Sequence, residues 1–393
     1  MPPLELTVDD ARRVAVRAAG LDAGLDTAGT AGADLLDVAH HLTGLPTDRT
    51  RAVARAADLV LWSRLGDAHR PPALDDAVER LHLVLLAGAL RPVADAVLFR
   101  AQQEAWPNEG APMKDWHRTL VAWVEANDAA RRDVLDELRR EGALPMTALP
   151  DTCTEPWRSS GWNDGKNLRM LVAQLVARGE VAVLGSWEGF GGETHYDLAE
   201  RVYPDEPAPP LAEALAEQDR RRLASYGVAR AGWVGQQGEP VGAGEAGEPA
   251  TVAGLRGRWR VDPAALAVLD EPAAAPGDDG TRVVLLAPFD PLVHHRKRMT
   301  DLLGFDYTLE MYKPAAQRRW GYYALPVLAA HDLVGKVDAT ADHESGELLL
   351  HAVHLDEPWA ADVPSLEGRV REEVDALAAR LGLDAVDHPH PAA

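Results

Sequence analysis

At 393 residues the chain is long enough for two to four domains with sizeable cores, and an apolar share of 46% beside 26% charged residues excludes global disorder. No run approaches the roughly eighteen uncharged apolar residues that a membrane span needs, and the lone cysteine, Cys153, excludes an internal disulfide framework and a multi-cysteine zinc site. Forty basic against 62 acidic residues leave a net charge of −22, so any grip on a polyanion has to come from a local concentration of positive charge.

The opening MPPLELTVDDARR carries acids where a secretory signal needs basic and then apolar residues, so a reducing cytoplasmic setting is expected. A short helix is predicted over residues 8–20, with Asp9 and Asp10 in its first turn and Gly20 as its stop. After the turn Thr43-Gly44-Leu45-Pro46-Thr47-Asp48, helical spacing resumes at Val53, Ala56, Ala57, Val60 and Leu61. More helix is expected over Leu74–Arg100. Asn127 is placed to cap a helix over Asp128–Glu141, with Ala130, Val134 and Leu138 on one face and Gly142 at its end. A proline-bearing loop follows, then a helix over Asp164–Arg178 whose apolar stripe is Leu168, Leu171, Val172, Leu175 and Val176. Val181–Leu184 and Thr194–Leu198 read as strands flanking a glycine-rich turn, Gly185 to Gly192. Helix, loop, helix, hairpin is the order of a winged helix-turn-helix, and also that of a generic α+β segment.

A Pro-rich connector with a charged helix spans 204–222. Gly235–Ala250 and Glu271–Gly280 read as exposed loops, with a strand over Val252–Arg260 and a short helix over Pro263–Leu269 between them. Strands are then expected at Val283–Ala287, Tyr322–Leu328, Leu333–Ala341 and Leu348–His354, and a final helix over Leu366–Leu381. The expected division is 1–105, 106–204, 205–280 and 281–393.

Positive charge is concentrated in one block. Arg282–Trp320 holds seven basic residues against four acids. The turn Pro288-Phe289-Asp290-Pro291 leads into His294-His295-Arg296-Lys297-Arg298, and a second patch, Gln317-Arg318-Arg319-Trp320-Gly321-Tyr322-Tyr323, interleaves arginine with aromatics. Arginine forks onto phosphate oxygens and aromatic faces stack on bases, so both patches are candidate nucleic-acid contacts; a solvated basic face on a sheet has the same composition. Asp48 is the candidate catalytic carboxylate, in a position where a carboxylate is also an ordinary helix N-cap. The histidines lack HExxH spacing, and strand alternation would send Asp338 and Asp342 outward beside His343, so no metal is expected. Neither a P-loop nor a well-placed GxGxxG occurs, so no nucleotide cofactor is expected either.

The stretch from Leu285 to Arg298, continuing through Leu303-Gly304-Phe305-Asp306-Tyr307-Thr308-Leu309-Glu310-Met311-Tyr312 and Arg318 to Leu328, closely resembles the winged-helix DNA glycosylases of the AlkZ and YcaQ type, as do Arg55–Gly66, Arg178–Val181 and Asp197–Pro204. The resemblance implies an α+β fold of tandem winged helix-turn-helix units with a C-terminal β-rich domain. It further implies a monofunctional glycosylase that removes alkylated purines, including crosslinked ones, from double-stranded DNA in the bacterial cytoplasm, with the chain expected to be a monomer. The family's catalytic motif, glutamine-aliphatic-Asp or -Gln, aligns on Pro46-Thr47-Asp48. Asp48 matches; Pro46 and Thr47 replace the other two residues. A DNA binder that has lost the chemistry is therefore the alternative reading.

Overall fold

The computed structural model describes residues 2–22, 34–108, 112–158, 165–184, 193–232, 241–278, 280–363 and 365–389. The expected Gly185–Gly192 turn and residues 235–240 of the expected Gly235–Ala250 loop lie outside the described residues. The molecule mixes helices and sheets. Its backbone contacts divide it into a continuous unit, Pro71–Gln218, and a second unit assembled from residues 1–70 and 219–393.

In the continuous unit the helix expected over Leu74–Arg100 is broken by a hairpin. Helix Pro71–Glu79 gives way to strands Leu83–Leu86 and Ala89–Pro92, and helix resumes at Ala96–Glu104. The break follows from Ala87 and Gly88, both at positive φ (48° and 81°), which form a two-residue turn pairing Leu86 with Ala89. This hairpin joins a five-stranded antiparallel sheet with Val181–Leu184, His195–Leu198 and Leu144–Pro145.

Helices Asp128–Glu141 and Asn167–Ala177 pack there through Val134, Leu138, Leu171 and Leu175, all fully buried. Each such side chain contributes about 1.5–3 kcal/mol relative to exposure. Asn127 does not cap the first helix with its side chain. Its amide donates to the Trp123 and Glu155 carbonyls and accepts the Thr154 and Glu155 N–H groups, so it pins the following loop instead.

The second unit contains two sheets. In the four-stranded one, Leu4–Leu6 runs parallel to Glu248–Val252, which pairs with Leu255–Val261 and, through it, with Val228–Arg230. The single strand expected over Val252–Arg260 is thus the turn and second arm of a hairpin, because Gly254 at φ 76° reverses the chain. Helix Val8–Ala18 begins with a capping box between Thr7 and Asp10. Gly227, at φ 65°, lets this helix approach: a Cβ there would lie 2.6 Å from the Val14 carbonyl oxygen. Gly227→Ala is expected to lower stability by about 1–3 kcal/mol, read as a fall in urea midpoint at constant m.

The curled C-terminal sheet runs Val283–Leu285, Leu325–Ala329, Asp332–Asp342, Glu347–Leu355 and Asp384–Asp387, the last pair parallel and the others antiparallel. Helix Leu366–Leu381 packs on it, at the bounds the sequence predicts. The alternation expected for Asp338 fails. Leu333 through Ala339 are buried without a break, a bulge falls at Asp338/Ala339, and Asp338 itself is buried against Gly321. Asp342 does turn outward, where it accepts the N–H groups of Glu344 and Ser345 in the hairpin turn. Among the described residues no helix is long and apolar enough to cross a membrane.

Candidate active site

Asp48 lies in an irregular segment between two helices. Leu35–His41 ends in a turn with Thr43 and Gly44 at positive φ, and the next helix starts only at Ala56, with Arg55 at its N-cap. Asp48 is therefore no helix cap. Its Oδ1 accepts the Thr50 N–H at 3.0 Å, a local turn that fixes the carboxylate. Buried Leu45 and Val53 anchor the two ends of the segment, and the Ala52 carbonyl accepts the Ala341 N–H at 2.7 Å, tying it to the long strand of the C-terminal sheet.

The helix Ala56–Leu65 that follows is buried over its first nine residues, and its Asp58, Ser63 and Arg64 side chains are hydrogen-bonded. Burial works to raise the Asp58 carboxyl, but hydrogen bonds from His69 and Arg55 outweigh it and hold that group below the usual carboxylate range. Arg64 forks onto Asp290 at 2.6 and 3.2 Å, with both side chains fully buried, and donates to the Ala19 carbonyl. Asp290 also accepts the Leu292 N–H, so the Pro288–Pro291 turn is bolted to the helix.

Asp48 faces an open hollow of about 490 Å3 whose walls include Arg49, Arg51, Met311, Tyr312 and Tyr322. Glu310 sets the far wall. Buried, it accepts the N–H groups of Arg319 and Trp320 at 2.6 and 2.8 Å and the Lys313 ammonium at 2.8 Å. Burial opposes its charge, yet these donors keep its carboxyl below the ordinary value. The clip leaves the Tyr312 side chain 87% exposed on the rim, and Arg318 lies 5.0 Å over the Tyr322 ring. Beneath the rim, Tyr323 is fully buried, and its hydroxyl has no hydrogen-bond partner among the described residues. Burial, then the nearby Asp48 charge, pushes this phenol well above its usual value, so it stays protonated. Tyr312, Arg49 and Arg51 were not singled out as site residues from sequence, because they belong to no periodic or basic pattern.

The basic block does not form one ridge. Arg298 is buried, donating to the Tyr226 and Val228 carbonyls and packed 4.6 Å over the Tyr226 ring; burial pulls it down to about 10. Arg296 donates to the Val293 and Pro288 carbonyls and lies 4.5 Å over Tyr307. His295 is buried and accepts the Arg298 N–H, and burial lowers its ring so that it is neutral. These three side chains hold the fold together, and the expectation of a phosphate contact at Arg298 is corrected by its burial. Lys297, paired with Asp301, and Arg319, stacked 4.6 Å over Trp320, are exposed, as is His294 beside Phe289. Arg282 is also turned inward, onto the Ser63 and Leu21 carbonyls. Among the described residues no three His, Cys, Asp or Glu side chains cluster closely enough to hold a metal.

Two comparisons bear on what this arrangement serves. The fold is similar to that of the Streptomyces sahachiroi DNA glycosylase AlkZ, with a TM-score of 0.58 at 15% identity over 98% of this chain and 100% of that one. The family model described as DNA glycosylase AlkZ-like matches residues 39–382, a span that takes in Asp48, the bolted Asp290 turn and the Glu310 clip. The chain belongs to the AlkZ-like DNA glycosylase family.

Proposed function

We propose that this protein is a monofunctional, water-using glycosylase that releases N7-alkylated purines, bulky or crosslinked ones included, from double-stranded DNA in the bacterial cytoplasm. The observation that carries the reading is the Asp48 carboxylate, fixed by its own turn and open to a hollow walled by arginine and exposed tyrosine. An N7-alkylated purine is a cation and a good leaving group. As its bond to C1′ lengthens, positive charge develops on the deoxyribose, and a fixed carboxylate stabilises that charge while taking a proton from the attacking water. Among the described residues no lysine lines the hollow, so the Schiff-base route has no amine there. Arg49, Arg51 and Arg318 are placed to pair with phosphates flanking the lesion, and Tyr312 offers a face on which a displaced base stacks.

The segment Asp128–Leu198 keeps helix, loop, helix and two paired strands in winged helix-turn-helix order, and we assign it as one such unit. Lys297, Arg318 and Arg319 serve as backbone contacts and the chain acts as a monomer. Replacing Arg318 and Arg319 by alanine is expected to reduce the slope of log K against log salt by about 2. Arg298→Met, by contrast, lowers thermal stability and leaves the slope alone; fluorescence anisotropy across a salt series separates the two.

The test of the activity is incubation with a duplex carrying N7-methylguanine, followed by alkali. Strand breaks made by the natural chain and absent with Asp48→Asn support the enzyme. The second reading, a lesion binder without chemistry, is favoured by Pro46, which brings no hydrogen-bonding side chain to the site. Tight binding with no breaks from either chain would establish it.

A further inference from the structure

We propose that Tyr312 selects for positive charge on the base: the displaced purine lies on its ring, which holds a cationic N7-alkylpurine in preference to a neutral base of the same outline. The inference rests on the glycosylase reading and deepens it, assigning the discrimination between damaged and normal bases to one side chain. Three observations carry it. Tyr312 is 87% exposed, the most exposed large apolar side chain among the described residues, and its side chain makes no hydrogen bond or ring contact there. The turn that presents it is nonetheless fixed. The Arg319 and Trp320 N–H groups hold Glu310, and the adjacent Lys313 pairs back onto Glu310 at 2.8 Å instead of lying on the ring. Finally, Tyr312 lines the same hollow as Asp48, with Met311 and Tyr322 in the same wall. Tyr322 already seats a cation, the Arg318 guanidinium 5.0 Å over its ring. Tyr312 is the ring of that wall whose faces are bare.

The face of an aromatic ring is the negative part of its quadrupole. A cation over it is held about fivefold more tightly at a wet surface, and about thirtyfold once water is displaced. Normal purines are neutral, whereas alkylation at N7 places a full positive charge on the ring. Stacking alone does not tell the two apart, because every base has a π face. The charge does. Selection and speed then fall to different groups. In the hydrolysis the water oxygen bonds to C1′, its proton passes to Asp48, and the C1′–N9 bonding pair withdraws onto the purine and cancels the ring charge. The hold of Tyr312 is therefore stronger before the reaction than in the transition state, and such a contact favours binding without accelerating the chemistry. Tyr312 meets the charge that is already on the base, and Asp48 the charge that develops on the sugar.

The experiment is fluorescence anisotropy with two duplexes that resist hydrolysis. One carries N7-methylguanine on a sugar with fluorine at C2′, which keeps the charge and disfavours the oxocarbenium. The other carries the isostere with carbon in place of N7, of the same outline and neutral. The natural chain is expected to bind the charged duplex about tenfold more tightly than the neutral one. Tyr312→Leu is expected to lose most of that preference, and Tyr312→Phe and Tyr312→Trp to keep it, all with the melting temperature unchanged because the side chain is exposed. Equal affinity of the natural chain for both duplexes overturns the proposal, as does a preference that survives in Tyr312→Leu. So does an equal loss of affinity for both duplexes in Tyr312→Leu, which would make the ring a platform blind to charge. At saturating protein, single-turnover release of N7-methylguanine by Tyr312→Leu is expected within about twofold of the natural chain; a fall of about tenfold or more overturns the separation of selection from speed. A natural chain that prefers the charged duplex yet releases no base sinks the glycosylase reading and leaves the charge selection standing. One that releases base without any such preference does the reverse.

Discussion

Asp48→Asn is expected to slow base release by about 10²–10⁴-fold, or about 3–5 kcal/mol of transition-state stabilisation, while binding to the damaged duplex holds or tightens. The amide keeps the shape of the side chain, and its oxygen still accepts the Thr50 N–H, so the turn survives. On the proposed reading, what is lost is the negative charge that faces the developing oxocarbenium and the capacity to take a proton. Binding does not suffer because removing an anion from a surface that approaches phosphates relieves repulsion. Single-turnover rates and anisotropy on the same duplex separate the two effects. Equal losses in both would mean that residue 48 serves binding alone.

The second large effect lies away from the chemistry. Asp290→Asn or Arg64→Leu is expected to cost about 3–5 kcal/mol, a third or more of the stability of an ordinary domain, because each leaves a fully buried partner unsatisfied. Arg64 would keep its charge beside the Ala19 and Val60 carbonyls, and Asp290 would keep only the Leu292 N–H. The double replacement Arg64→Met, Asp290→Leu is expected to recover much of that loss, since no charge is then stranded. Urea midpoints of the three variants read this directly. A single variant as stable as the natural chain would show that solvent reaches the pair.

What the sequence made legible was whatever depends on local pattern. The helix over Leu366–Leu381 and that over Asp128–Glu141 announce themselves by spacing and by a terminal glycine, and both have the expected bounds. Leu4–Leu6 and Asp384–Asp387 carry no such signal; each is a strand only because a parallel partner lies alongside it. The basic block makes the same point for the site. Arg298 and Arg319 look alike in sequence, and what separates them is that the Tyr226 and Val228 carbonyls, some seventy residues upstream, reach one and not the other. Asp48 was legible as a residue type in a break between helices. Its true role in the local backbone was not, since the helix that would make it a cap begins eight residues further on. The free hydroxyl of Tyr323 had no trace at all in the sequence, because a missing partner is a property of the packed interior.

The discontinuous unit has a consequence for biosynthesis. During translation Leu4–Leu6 emerges early, but the strand it must join, Glu248–Val252, arrives some 240 residues later. A delay of 264 residues likewise separates Asp48 from Tyr312, so a nascent chain carries Asp48 without the wall that completes the hollow. The intervening Pro71–Gln218 segment can fold first, leaving the apolar faces of the leading helices to be shielded by whatever meets them at the ribosome exit. A message cut short anywhere before the C-terminal sheet therefore yields a product that cannot assemble this hollow, and premature termination disarms the protein by topology alone.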